Sequence, residues 1–153
     1  MRLVAPLLVG PLVAGVLLVG AAGCSESPED RRETYCAQVK KDSAGLSTGV
    51  AEGGPGAFLS VLPTLEGLAK KAPSDLKDEW QTLLNALHGL RDALDNTGLE
   101  PADIRDGSLP EGLPRADRKR VREAASVLTT PEVVAATQGI EQHALDICKQ
   151  PLI

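Results

Sequence analysis

Cysteine and histidine carry the most reactive side chains in this sequence, and both are scarce. The 153 residues include three cysteines, Cys24, Cys36 and Cys148, and two histidines, His88 and His143. A thiol can carry a lipid, form a disulfide, ligate a metal or act as a nucleophile, and its surroundings decide which. The sequence context of each cysteine therefore predicts its role.

The segment before Cys24 has the composition of an export signal. Met1 and Arg2 supply one positive charge, and the run 3–19 that follows has no charged residue. Such a run also approaches the length of a membrane-spanning helix, but its prolines remove backbone donors that a helix needs. We therefore predict that residues 1–23 are a signal peptide that is cleaved.

The residues from Gly20 to Gly23 are small and are followed directly by Cys24. This sequence resembles the lipobox of bacterial lipoproteins, although Ala21 stands where leucine is usual. In that family the cysteine thiol receives a diacylglyceryl group, and the signal is cut in front of it. The resemblance implies that acylated Cys24 anchors the chain to membrane lipid on the outer face of the cell membrane. The alternatives are an ordinary secretory signal cleaved near Ala22 and an uncleaved membrane anchor.

Cys36 and Cys148 remain as an even pair once Cys24 is set aside. Exported proteins oxidise such pairs, so we predict a disulfide that ties the two ends of the mature chain together. In the chain-entropy view, a bond across so long a loop stabilises a fold by up to about 4 to 5 kcal/mol. The alternatives are a catalytic thiol and a metal site on the two thiolates, with only His88 and His143 to complete it.

Sequence motifs offer little support for an enzyme. The run Gly53 to Gly56 lacks the Gly-Lys-Ser/Thr of a phosphate-binding loop, and there is no His-Glu-x-x-His. His88 and Asp92 are spaced to form a histidine–aspartate pair on a helix, as are His143 and Asp146. Because nothing marks a nucleophile beside either histidine, we expect helix-flank histidines and a non-catalytic protein without cofactor or metal.

Five basic residues cluster in this acidic sequence, whose net charge of −5 and 2% aromatic content argue against nucleic acid as a partner. They are Arg115, Arg118, Lys119, Arg120 and Arg122. On a helix, Arg115, Arg118 and Arg122 share one face. Arg115, Arg118, Lys119 and Arg122 are therefore our candidate patch for lipid headgroups, an anionic glycopolymer or an envelope protein. The alternative is a solvated face without function.

Capping residues and prolines divide the mature chain into helices. Ser27 and Pro28 open a first helix that we expect to reach about Ser43, followed by a glycine-rich loop over 45–56. A second helix is predicted over 57–71 and should kink or restart at Pro63. The next helix opens near Pro73, and its apolar stripe is the strongest of the sequence. A loop over 99–114, a helix through 121–128 and a last helix opened by 130–132 complete the prediction.

This pattern predicts an all-α fold, a single bundle of four or five helices whose first and last members are joined by the disulfide. The predicted organisation is a signal peptide at 1–23, a short lipid-anchored tether at 24–27 and the bundle at 28–153. The lipobox, the Tyr35-Cys36 pair, the helix opened by Pro73 and the terminal run 143–148 resemble small lipoproteins of high-GC Gram-positive bacteria. That resemblance implies a location and a fold, and it brings no activity.

Two charged residues interrupt apolar stripes and predict a contact inside the bundle. Arg91 lies close to the Leu76, Trp80 and Leu87 face of its helix, and Asp42 lies on the Tyr35 face of the first helix. Since charges are rarely buried unless paired, we predict that these helices pack together and that Arg91 meets Asp42 or another carboxylate. The alternative is that Arg91 extends over Leu87 to water.

These expectations leave two classes of function. The first is a membrane-anchored extracytoplasmic interaction module of the cell envelope, monomeric and with an envelope protein as partner. The second is a lipid-anchored protein that binds a small ligand in a pocket between helices. An exposed apolar patch without a cavity would favour the first class, whereas a pocket of a few hundred Å³ would favour the second.

Overall fold

The predicted all-α bundle is confirmed in a computed structural model, which describes residues 26–51, 54–104 and 108–153. Cys24 and the predicted signal peptide lie outside the described residues. The described chain has no β-strand, and none of its helices is long and apolar enough to cross a membrane. The six helices are α1 Pro28–Ala51, α2 Gly54–Ser60, α3 Leu62–Lys71, α4 Lys77–Asp95, α5 Arg115–Val127 and α6 Pro131–Cys148.

The first helix begins where its capping residues predict and ends later than expected. The Asp30 backbone N–H donates to Ser27 Oγ over 3.1 Å, which caps the first turn. The helix then continues past Ser43 to Ala51, and α2 begins at Gly54, so the predicted loop over 45–56 is wrong for 45–51 and for 54–56. Burial of Leu46 beyond the glycine at position 45 supplies the packing that overrides the poor helix propensity of glycine.

The predicted second helix is divided in two, which raises the number of helices to six. Helix α2 ends at Ser60, α3 begins at Leu62, and Pro63 occupies its first turn. A proline is tolerated there because the first N–H groups of a helix have no partner within it. The restart at Pro63 that the sequence predicts is therefore confirmed.

The core lies between helices α1, α3, α4 and α6. Helix α4 packs against α3, α5 and α6, and α1 packs against α2, α3 and α6. Helices α1 and α4 therefore lie diagonally across the bundle, with α3 and α6 between them. The largest fully buried side chains are Trp80, Tyr35, Leu46, Leu62, Leu65, Leu68, Leu87, Leu90, Leu94, Ile140 and Val39.

The disulfide between Cys36 and Cys148 joins α1 to α6, as predicted, with a distance of 4.9 Å between the two Cα atoms. Directly after it, Lys149 adopts a left-handed conformation with φ of 56° and reverses the chain. Leu152 is then buried, and its N–H donates to the Glu141 carboxylate over 3.2 Å. The disulfide and this returning segment hold α1 and α6 together at one end of the bundle.

The predicted pair of Arg91 with Asp42 does not form. Asp42 accepts a hydrogen bond of 2.6 Å from Gln38 on its own helix. Arg91 instead approaches the Glu66 carboxylate of α3 to 3.8 Å, with its side chain 43% exposed. The prediction that α1 and α4 pack side by side is wrong because the two helices are diagonal, so the carboxylate within reach of Arg91 lies on α3. The fallback expectation, another carboxylate at the margin of the bundle, is confirmed.

Candidate ligand-binding site

Both cysteines in the described part of the chain are in the disulfide. A bonded sulfur is neither a thiolate ligand nor a nucleophile, so the alternatives of a metal site or a catalytic thiol on Cys36 and Cys148 are wrong. No group of three or more histidine, cysteine, aspartate or glutamate side chains is placed to hold a metal ion among the residues that the structure describes.

His88 contacts residues other than the aspartate that its spacing suggests. Its Nε2 lies 3.2 Å from Glu66 Oε1, and its Nδ1 lies 2.7 Å from Arg91 Nη2. With Arg91 also facing Glu66, the three side chains form a charged cluster where α3 meets α4. Such a cluster at a half-exposed margin joins two helices, in keeping with a helix-flank histidine.

His143 of α6 belongs to a second group of polar side chains and is largely buried, with its side chain 11% exposed. Its Nε2 is 4.0 Å from Asp75 Oδ2, and its Nδ1 has no hydrogen-bond partner within the described chain. Burial lowers the pKa of His143 below its ordinary value of 6.5, while the nearby Asp75 carboxylate opposes this shift and Arg32 adds to it. The imidazole is therefore neutral at pH 7.

Tyr35 packs against His143 and completes this buried group. The Trp80 indole N–H approaches the Tyr35 hydroxyl from α4, but neither atom completes a hydrogen bond within the described residues. Burial raises the pKa of Tyr35 to about 12, and the Trp80 N–H offsets this only in part. A hydroxyl with so high a pKa does not ionise at neutral pH, so the group offers no activated nucleophile or base.

Sequence reasoning missed one motif, the run Gly45-Leu46-Ser47-Thr48-Gly49, which has the Gly-x-Ser-x-Gly spacing of a hydrolase nucleophile elbow. That chemistry requires a sharp turn between a strand and a helix, because the turn exposes the serine hydroxyl. Here the whole run is helical, inside α1. The motif therefore occurs without the backbone geometry that gives it a function.

An apolar cleft of about 420 Å³ lies on one side of α4. Its floor is formed by Leu83 and Leu87 of α4, and its walls come from α1, α2, α5, α6 and the turn between α5 and α6. The side chains around it are Val50, Phe58, Leu83, Leu87, Ala125, Leu128, Thr129, Val133, Val134, Thr137 and Gln138. No single stretch of sequence predicts this cleft, because each of five helices contributes only one to four residues.

The position of the cleft follows from the way α1 and α6 are joined. Cys36 lies near the start of α1, whereas Val50 lies in its last turn. Fourteen residues at 1.5 Å each separate the two positions by about 21 Å along the helix. The disulfide thus holds α1 and α6 together at one end, and the cleft opens toward the other end.

The two threonines that line the cleft do not have a free hydroxyl donor to offer a ligand. Thr137 Oγ1 donates to the Val133 carbonyl over 2.8 Å, and Thr129 Oγ1 donates to the Ser126 carbonyl over 2.9 Å. No charged side chain lines the cleft, and Gln138 is exposed at its rim. This lining is suited to an apolar molecule or to the apolar part of a larger one.

The predicted basic patch lies on the same helix as one wall of the cleft. Arg115, Arg118, Lys119 and Arg122 surround a depression of about 280 Å³, together with Glu123 and Ser126. The structure therefore brings the four predicted residues together. Arg120 lies apart from them and pairs with Asp117 over 3.0 Å.

The cations of this patch differ in their partners. Arg118 donates to the carbonyls of Glu111 over 2.9 Å and Pro110 over 3.3 Å, so it holds the loop before α5. Lys119 lies 3.6 Å from the Glu123 carboxylate. Arg115 and Arg122 form no ion pair with any residue that the structure describes. These two guanidinium groups are the ones open to an anionic partner.

Comparison of the chain with protein-family models, with curated proteins and with solved structures finds no match.

Proposed function

We propose that this protein is a lipid-anchored, extracytoplasmic binding protein whose helical body holds an apolar ligand without transforming it. The observation that carries the proposal is the cleft of about 420 Å³ over Leu83 and Leu87. Its volume lies in the range of ligand sites, about 300 to 1,000 Å³. Its apolar lining favours burial of hydrocarbon surface at about 25 cal/mol for each Å² removed from water.

The proposed anchoring is supported by two independent features of the chain. The small residues before Cys24 resemble a lipobox, and the disulfide between Cys36 and Cys148 is typical of proteins outside the reducing cytoplasm. Only three residues lie between Cys24 and the first residue of α1, Pro28. Even fully extended they span about 10 Å, so lipid on Cys24 would hold the start of α1 close to the membrane.

A non-catalytic role is supported by the state of the reactive side chains. The described cysteines are bonded to each other, His88 contacts Glu66 and Arg91, and His143 is largely buried and neutral at pH 7. None of these groups lines the apolar cleft. A molecule bound there meets hydrocarbon and satisfied hydroxyl groups, which supply neither acid, base nor nucleophile.

The interaction module for an envelope protein is the second candidate function. Leu145 and Ile147 near the end of α6 are 43% and 44% exposed, which is high for large apolar side chains. A contiguous patch of such side chains would mark a protein interface. They lie outside the lining of the cleft, so a partner bound there and a ligand in the cleft would not compete for the same atoms.

Binding of a neutral fluorescent probe, N-phenyl-1-naphthylamine, tests the proposed binding function. The Cys24→Ser protein is suitable because the hydrophobic core and the disulfide of the bundle are formed by other residues. Val134 lines the cleft and is 41% exposed, so Val134→Trp should fill the cleft without disturbing the core. We expect saturable binding that this variant weakens at least about tenfold.

The matched control is Val127→Trp, which adds the same side chain on α5 at a position 44% exposed and outside the cleft. It should bind the probe as the unsubstituted protein does. If the probe does not bind, or if both tryptophan variants bind it equally well, the proposed function is wrong.

A further inference from the structure

We propose that the apolar cleft and Arg122 form one site for an amphiphilic anion, with an aliphatic chain in the cleft and a carboxylate or phosphate head on the guanidinium. This inference rests on the proposed binding function and adds to it the chemical class of the ligand. It joins two features that the sequence and the fold present separately, the basic patch and the cleft.

Helix α5 connects the two features physically. Ala125, Leu128 and Thr129 line the cleft, whereas Arg122 and Ser126 line the basic depression. At 100° per residue, Ala125 in the wall of the cleft lies about 60° from Arg122 around the axis of α5 and almost one turn further along it. The basic depression and the wall of the cleft are therefore about one helical turn apart on α5.

Arg122 is the cation best placed to receive a head group. It is exposed and forms no ion pair with a described residue, and it is the basic residue of the patch nearest in sequence to the cleft wall. Glu123 also lines the depression and would repel an anion, but its carboxylate faces Lys119 at 3.6 Å. Arg118, fixed by the carbonyls before α5, adds a second positive charge beside Arg122.

The cleft itself requires that a polar head lie outside it. Its two threonine hydroxyls donate to backbone carbonyls, and its lining contains no charge. A charged head would be destabilised in such surroundings, whereas an arginine at the rim offers a charge-assisted hydrogen bond. A methylene group occupies about the volume of one water molecule, about 30 Å³, so the cleft holds a chain of roughly a dozen carbons.

Displacement of N-phenyl-1-naphthylamine from the Cys24→Ser protein tests this assignment. The competitors are dodecanoate, dodecyl phosphate and the neutral dodecanol, each kept below its micelle-forming concentration. We expect the two anions to displace the probe at roughly fivefold lower concentration than dodecanol, which is the gain typical of an exposed ion pair. The gain should shrink in 0.5 M salt because the pair is exposed to solvent. The tighter of the two anions identifies the head group, and either order supports the site.

Two arginine variants test whether Arg122 causes the preference for anions. Arg122→Gln should abolish the preference for anions over dodecanol while it leaves binding of the neutral probe unchanged. Arg120→Gln removes the same charge from the opposite face of α5, where Arg120 pairs with Asp117, and should keep the preference.

Equal displacement by the anions and dodecanol would overturn the assignment, as would equal loss of the preference in both arginine variants. In either case, probe binding that Val134→Trp weakens would leave the proposed function standing. Failure of the probe to bind at all would instead remove the proposed function itself.

Discussion

Tyr35 of α1 and His143 of α6 meet edge to face across the core, with ring centroids 5.8 Å apart and ring planes at 71°. Both side chains are uncharged at neutral pH, because burial raises the pKa of Tyr35 and lowers the pKa of His143. The contact therefore brings together two titratable residues in their neutral forms, at the same end of the bundle as the disulfide.

The free energy of unfolding should decrease as the pH falls from about 7 to about 5. A histidine with a lowered pKa in the fold binds fewer protons than in the unfolded chain, so its stabilising contribution is present above the ordinary pKa of 6.5 and is lost as the pH falls below it. The charged groups that face His143 are Asp75, Glu79, Asp146 and Arg32. Urea unfolding across this range measures the slope.

His143→Gln should flatten that slope, since glutamine does not titrate. Asp75→Asn should keep or steepen it, because Asp75 favours the protonated imidazole and its removal lowers the pKa of His143 further. A slope that survives intact in His143→Gln would assign the pH dependence to other groups.

Two glycines of α1 should respond in opposite directions to alanine. A Cβ at position 49 would overlap the side chain of Val61, the residue between α2 and α3. A Cβ at position 45 would have no atom within 4 Å. We expect Gly49→Ala to lower the free energy of unfolding by about 1 to 3 kcal/mol through overpacking. Gly45→Ala should raise it by up to about 1 kcal/mol, because alanine is the better helix former. Equal effects of the two substitutions would contradict this packing.

These glycines also show which part of α1 local sequence signals can predict. Local signals placed the start of α1 at Ser27 and the restart at Pro63, since a cap or a proline acts within one turn. The continuation of α1 to Ala51 depends on burial of Leu46 and on contact of Gly49 with Val61, which are tertiary effects.

The candidate site divides in the same way. The basic patch was predictable because helical spacing alone brings Arg115, Arg118 and Arg122 to one face. The cleft was not, because Val50, Phe58 and the residues of three further helices meet only in the folded bundle.

The disulfide should account for a large part of the stability of the bundle. It closes a loop with a sequence separation of 112 residues between Cys36 and Cys148, and loss of a native disulfide typically costs about 2 to 5 kcal/mol. Urea unfolding with and without a reductant measures the difference, and peptide mapping without reduction should recover the two linked peptides. A Cys36→Ser, Cys148→Ser double variant should be insensitive to the reductant. Free alkylation of both cysteines in unreduced, exported protein would contradict the bond.

Removal of either carboxylate considered for Arg91 should have a small effect. Glu66 is partly exposed and lies 3.8 Å from Arg91. Within the described chain, Gln38 is the only side chain that donates a hydrogen bond to the Asp42 carboxylate. We therefore expect Glu66→Ala and Asp42→Ala each to lower the free energy of unfolding by under about 1 kcal/mol, as is usual for exposed pairs. A loss of about 3 to 5 kcal/mol in Asp42→Ala would instead indicate a buried ion pair.

Replacement of Cys24 should release the protein from the membrane. Under the proposed lipidation, the acyl chains on Cys24 attach the protein to the membrane. Two chains anchor a protein far more firmly than one, whose association constant alone is about 10⁴ M⁻¹. We expect the Cys24→Ser protein in the soluble fraction or the medium, while the Cys36→Ser, Cys148→Ser double variant, which keeps Cys24, stays with the membrane. Intact-mass analysis of membrane-extracted protein should show a diacylglyceryl adduct at a chain beginning with Cys24, and a mass without that adduct would reject the proposed anchor.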